Sequence, residues 1–249
     1  MSWDIIDGLD RNDTEVRQLT RVEQAGTADF LTDLVAHLFV GLQRRGSRGL
    51  MSEAEQWAAI FLAHAAASIK CAFDQLLGGY YSQSMGGLRN VMEDAIVVAN
   101  LSHHPEEAAK YTAARARLDE DIAAGKVKTG AYRIKLAALG DVALTAGMDK
   151  AKEMVDVLHQ YAHPSLYAVT LALTDEGLST AGYYATEDFA QAAYMFISTF
   201  HFVAAAAATL IGVSDPRWTE DNASLIERSA EWTARANLGM GVPLSDDSA

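Results

Sequence analysis

Two histidines stand one helical turn apart in the densest polar stretch of an otherwise alanine-rich sequence. His159 and His163 belong to the run LHQYAHPS, in which His163 directly precedes Pro164. A residue before proline is disfavoured in the α conformation, so His163 is predicted to end its helix beside unpaired carbonyl groups. Those carbonyls favour a protonated imidazole. An imidazole in this position suits general acid–base chemistry or metal binding.

A second polar pattern lies in the helix that we predict from Tyr80 to about Leu101. On a helical wheel, Arg89, Glu93 and Asn100 form a narrow stripe with apolar residues on both sides. Such a stripe is expected to face other parts of the protein, and Arg89 and Glu93 at i, i+4 can form an ion pair. We therefore predict that this stripe lies opposite the helix that carries the two histidines.

Two interpretations of this constellation need no cofactor. In the first, Arg89 and Glu93 form a buried network with the histidine helix and fix helix packing in an interaction or structural module. In the second, the pocket cleaves RNA or another phosphodiester. His163 is then the general acid or base, and Arg89 stabilises the phosphoryl transition state. Glu93 completes the candidate catalytic set, and the supporting residues are Tyr161, Ser165, His159 and Asn100.

A third interpretation is a metal site. Asp156, His159 and His163 occupy adjacent positions on one predicted helix, and Glu93 could add a carboxylate ligand. A divalent metal is the one cofactor that this pattern allows, and none is predicted otherwise. The sequence contains no paired Glu-x-x-His motifs, so a di-iron bundle is not expected.

Length and composition predict a single all-α domain over residues 1–249, with frayed ends at 1–12 and 239–249. Half of the 249 residues are hydrophobic and only four are prolines, and alternating runs of β-branched residues are almost absent. The formal net charge of −13 opposes nonspecific attraction to phosphate backbones, so RNA is not the favoured partner. The single cysteine, Cys71, excludes an internal disulfide and is expected to be buried as a small apolar residue.

The predicted compartment is the cytoplasm, without a membrane span. The first residues, Met1 to Asp4, have neither the basic start nor the apolar segment of a secretory signal. The stretch from Ala192 to Val213 has no formally charged residue and is about long enough to cross a bilayer. Because it is interrupted by polar residues and rich in alanine, we expect it to be a helix inside the bundle.

Start and stop signals divide the chain into long helices, which we expect to pack as an antiparallel bundle. Ser52 and Glu55 form a predicted capping box, and Gly78-Gly79 ends the helix that they begin. An irregular connection is expected after Pro164. The predicted helices are Thr14 to Gln24, Thr27 to Arg45, Ser52 to Leu77, Tyr80 to Leu101, one that starts at Pro105, Asp149 to Ala162, Ala192 to Val213, and Asp215 to Asn237.

Several short motifs occur in an order that resembles a known family. They are Gly79-Tyr80-Tyr81-Ser82-Gln83, Leu88-Arg89 with Glu93, Pro105-Glu106-Glu107 before Tyr111, and Tyr161-Ala162-His163-Pro164-Ser165. Together they resemble an uncharacterised bacterial all-helical family, a domain of unknown function, over roughly residues 69–210. The resemblance implies a helical fold and points to Arg89, Glu93, Tyr161 and His163, but it assigns no chemistry.

A fainter similarity is to HEPN domains, which are helical modules in which an arginine and a nearby histidine form an RNA-cleaving site across a dimer. The resemblance implies a site across a dimer and, as the alternative function, RNA cleavage by His163. The expected partner is a second copy of the chain or another protein. No arginine stands at the family's position shortly before His163. Arg89, from another helix, would therefore have to take its place.

Overall fold

The computed structural model describes residues 2–47, 49, 51–126, 150–162, 173–174, 177–178, 181–212 and 215–238. These residues form eight α-helices, which confirms the all-α prediction. The helices are α1 (Ser2–Glu23), α2 (Ala25–Gly46), α3 (Glu53–Leu77), α4 (Tyr81–His103), α5 (Ala108–Ala123), α6 (Ala151–Ala162), α7 (Thr186–Ala207) and α8 (Pro216–Leu238).

Three short elements complete this description. A 3-10 turn, Pro105–Glu107, leads into α5, and a π-helical turn, Ala208–Gly212, continues α7. In the connection after α6, the strands β1 (Leu173–Thr174) and β2 (Gly177–Leu178) pair antiparallel.

Local signals predicted most helix boundaries correctly, but the first helix is longer than expected. The Ser52 side chain accepts a hydrogen bond from the Glu55 amide, and the Glu55 carboxylate accepts one from the Ser52 amide, so the capping box is confirmed. In contrast, α1 begins at Ser2 rather than at Thr14. Residues 2–12 thus belong to α1, the fraying of 1–12 stays a prediction, and 239–249 lie outside the described residues.

Helix α4 is the centre of the bundle, because α3, α6 and α7 all pack against it. Its apolar face is fully buried at Leu88, Val91 and Met92. Val97 and Leu101, which lie beyond the polar stripe, are buried as well. The stripe is thus bordered by protein on both sides, as the helical wheel predicts.

A close crossing of two backbones fixes the start of α4 against the start of α7. Gly79 has φ +77°, and a Cβ added there would lie 2.0 Å from the carbonyl oxygen of Tyr183. Only glycine fits that conformation and that approach. Helix α1 joins the crossing: Asn12 donates to the carbonyl of Gly182, and the Tyr80 hydroxyl donates to Asp13. These two hydrogen bonds attach the middle of α1 to the crossing.

Three segments are apolar and long enough to cross a membrane by length and composition alone: Ala25–Gly46, Glu53–Leu77 and Thr186–Gly212. In the third, 61% of the most apolar window is buried inside the bundle. Phe189, Phe196 and Phe200 of α7 have no exposed surface. Helix α7 thus packs as an interior helix, as the sequence predicts for residues 192–213 as far as the structure describes them.

The cysteine prediction is wrong. Cys71 is exposed on α3, whereas its neighbour Ala72 is buried against α4. One residue along a helix turns the side chain by about 100°, so a small apolar residue in an alanine-rich helix need not face the core.

Candidate functional site

A groove of about 510 Å³ opens to solvent between α3, α4 and α6. Its walls are apolar where Phe61, Val97 and Val155 meet, and its other lining side chains are polar or charged. Those are Arg89, Glu93, Asp94, Asp156 and His159. The groove therefore brings together residues of the two patterns that the sequence predicts to face each other, Arg89 and Glu93 on α4 with Asp156 and His159 on α6.

Arg89 and Glu93 form the predicted ion pair, with 2.7 Å between Arg89 Nη2 and Glu93 Oε1. The Arg89 side chain is 26% exposed and that of Glu93 is 36% exposed. The pair is thus only half-buried, whereas the first interpretation expects a buried network. An i, i+4 pair with this exposure contributes roughly 0.3–0.5 kcal/mol to stability.

A second charged pair, not predicted from the sequence, borders the groove. His64 Nδ1 on α3 lies 2.6 Å from Asp94 Oδ2 on α4. The Asp94 side chain is only 10% exposed, and that of His64 is 63% exposed. Burial raises the pKa of Asp94 to about 6, although the hydrogen bond and the charge of His64 act in the opposite direction. The pair joins a solvent-facing imidazole to a carboxylate inside the groove.

The sequence contains only a weak signal for Asp94 as a site residue. Asp94 is followed by the apolar run Ala95-Ile96-Val97-Val98-Ala99, where a carboxylate has to find a partner if it is buried. That partner lies thirty positions away in the alanine-rich part of α3. No periodicity in one helix could have identified His64 as the partner, because the contact depends on how two helices pack.

The wall formed by Phe61 is held by an aromatic cluster. The Phe61 ring lies edge-on to Tyr111 of α5 at 5.2 Å and tilted to Trp57 at 6.4 Å. Burial raises the pKa of the Tyr111 hydroxyl to about 12, so the hydroxyl is neutral in ordinary solution. The cluster fixes one side of the groove without contributing a charge.

A glycine brings α6 close to α4. A Cβ added to Gly86 would lie 3.0 Å from the Tyr161 carbonyl oxygen and 3.2 Å from Ala162 Cα. The neighbouring Gly87 has ordinary spacing, with its nearest atom at 3.8 Å. Helix α4 runs without interruption through both glycines. The end of α6 therefore rests directly on the backbone of α4, which sets the width of the groove.

The other site residues predicted from the sequence do not line the groove or lie outside the described residues. Tyr161 is turned towards α7, where its hydroxyl accepts a hydrogen bond from Gln191 Nε2 at 3.1 Å. Asn100 is buried on α4 and does not line the groove. His163 and Ser165 lie outside the described residues.

The described residues contain no group of three His, Cys, Asp or Glu side chains that could hold a metal ion. Asp156, His159 and Glu93 line the same groove. Lys152 donates to Asp156 at 2.5 Å, and Glu93 is engaged with Arg89. Within this part of the chain, the carboxylates of the predicted metal set are thus neutralised by basic side chains.

Fold and site together define an all-α bundle with a half-open, charged groove beside its central helix. No family model, no curated protein and no solved structure matches the chain.

Proposed function

We propose that this protein is a helical-bundle interaction module that binds a second copy of itself through the groove between α3, α4 and α6. The observation that supports this proposal most strongly is the half-exposed Arg89–Glu93 pair in the lining of an open groove that also has apolar walls. The proposed compartment is the cytoplasm. The proposed homodimer follows the expectation from the sequence.

The chemistry of the groove supports protein contact. Interfaces between proteins are rich in aromatic side chains and arginine at their centre and polar at their rim. Phe61 and Arg89 in the groove lining are side chains of the first kind, and Asp156 and His159 are polar side chains of the second kind. The Arg89–Glu93 pair adds little to the stability of the fold and is exposed enough for a partner to contact it.

The charge of the groove opposes RNA cleavage. Three lining carboxylates (Glu93, Asp94 and Asp156) accompany a single arginine, Arg89, which is already engaged with one of them. A phosphodiester would have to displace that carboxylate and approach the other two, at a Coulombic cost. RNA cleavage by His163 and Arg89 stays a prediction, which loss of RNA cleavage in a His163→Ala variant with unchanged thermal stability would support.

Site-specific photocrosslinking tests the interaction module. A photoreactive benzophenone amino acid replaces His159, which lines the groove, in one variant of the full chain. In the control it replaces Glu153, which is exposed on the same helix but does not line the groove. We expect a covalent dimer from the variant at position 159 and none from the control. A monomer in both variants, together with a monomeric mass in sedimentation equilibrium, would refute the proposal.

A further inference from the structure

The His64–Asp94 pair connects the outside of the bundle to the inside of the groove. Asp94 is 7% exposed and lines the groove, whereas most of the His64 side chain is in contact with solvent. The 2.6 Å contact is short, as is usual for a hydrogen bond with an ionised group. A proton taken up from solvent can therefore change the charge of a buried carboxylate that a groove ligand would face.

We propose that this pair makes the groove responsive to pH: in mildly acid solution Asp94 binds a proton, and the groove loses one negative charge beside Glu93. The inference rests on the proposed function for its consequence. In a symmetric dimer the same surface of each copy faces its partner. Neutralising Asp94 then removes repulsion between two acidic grooves, so self-association becomes tighter as the solution is acidified.

The charged groups around Asp94 come from three helices. Helix α3 contributes His64, and α4 contributes Glu93 and Arg89. Helix α6 contributes Asp156 and His159. Helix α7 also packs against α4, but none of its described residues lines the groove.

Two opposing physical effects set the pKa of the Asp94 carboxyl. Burial disfavours the carboxylate and is the largest cause of its raised pKa of about 6, and the nearby negative charge of Glu93 adds to it. His64 favours the ionised form and limits the rise. Without His64 the carboxyl would bind its proton in less acid solution, so the imidazole sets the pH at which the groove changes.

Carboxyl ¹³C NMR of the full chain tests this inference without any partner. In the wild type we expect Asp94 to titrate with a midpoint at about pH 6. In a His64→Gln variant we expect the midpoint to rise by about one pH unit, because the charge of the imidazole is lost. The matched control is Asp74→Asn, which removes an exposed carboxylate of α3 that is paired with Lys70 and should leave the midpoint unchanged. A wild-type midpoint near the ordinary carboxyl value of about 4 would overturn the inference.

A second measurement reports on the groove itself. The methyl groups of Val97 line the groove one helical turn from Asp94 and do not titrate. Their shifts should contain a component that follows the Asp94 midpoint in the wild type and disappears in an Asp94→Asn variant. Persistence of that component in the variant would contradict the proposal. If Asp94 titrates as expected while no dimer forms at any pH, the interaction module fails and the pH response of the groove stands.

Discussion

Helix α4 contacts two of its neighbours, α7 and α6, in different ways. Against α7 it packs through an apolar interface, in which Phe189, Phe196 and Phe200 are fully buried. Against α6 it leaves an open groove with charged side chains on both helices. One helix thus serves two purposes. Burial of apolar surface on the α7 side stabilises the fold, and the Arg89–Glu93 pair on the α6 side adds little stability but remains accessible.

The largest expected effect comes from the α7 side. Replacing Phe196 with alanine removes a ring that is fully buried and lies 6.2 Å from the ring of Phe73. We expect the free energy of unfolding to fall by about 3–5 kcal/mol. Urea denaturation followed by circular dichroism measures it. The matched control is Phe39→Ala on α2, where the ring is 43% exposed and the loss should be below about 1 kcal/mol. Equal losses in both variants would remove the distinction between interior and surface.

A substitution at the close approach of α6 to α4 should have an intermediate effect on stability, and the neighbouring glycine provides the control. Gly86→Ala places a methyl group against the backbone of Tyr161, which can yield only if the end of α6 moves. We expect a loss of about 1–3 kcal/mol. Gly87→Ala meets only ordinary contacts, and as a glycine-to-alanine change inside a helix it should stabilise by about 0.5–1 kcal/mol. Thermal unfolding of the two variants separates these effects, and stabilisation by both would show that α6 does not rest on Gly86.

The sequence predicted contacts within one helix more completely than contacts between two helices. The Ser52–Glu55 capping box and the Arg89–Glu93 pair follow from spacings of three and four residues, and both are present. The His64–Asp94 contact depends on the packing of α3 against α4, for which a single helix contains no signal. The contact of α1 with the segment near Gly182 was missed for the same reason, because Asn12 bonds to a carbonyl 170 positions away.

The same limit applies to the candidate site. The wheel placed Arg89, Glu93 and Asn100 on one stripe, but only the first two line the groove, because the stripe turns into the bundle before Asn100. His159 was predicted at the edge of an apolar face and lines the groove. Tyr161, only two residues further, faces α7 instead.

Because Asp94 is buried beside the groove, we expect the stability of the protein to depend on pH. Its pKa rises from 3.8 to about 6 on folding, so the folded state binds this proton more tightly than the unfolded state. The stabilising contribution is present in full below about pH 4 and is lost as the pH rises through about 6. Between these limits the wild type should lose up to about 3 kcal/mol relative to Asp94→Asn. Denaturation of both proteins across this range measures it. A difference that grows in the opposite direction would show that the ionised carboxylate is stabilised by the fold.

The most direct test of the division between the two sides of α4 is a triple variant with Arg89→Ala, Glu93→Ala and His159→Ala. Its control is Arg115→Ala with Asp119→Ala, which removes an exposed i, i+4 pair on α5. Urea denaturation and sedimentation equilibrium of both proteins give stability and self-association. We predict that the triple variant unfolds within about 1 kcal/mol of the wild type but no longer dimerises, whereas the control retains both properties. A triple variant that loses several kcal/mol and still dimerises would contradict the account.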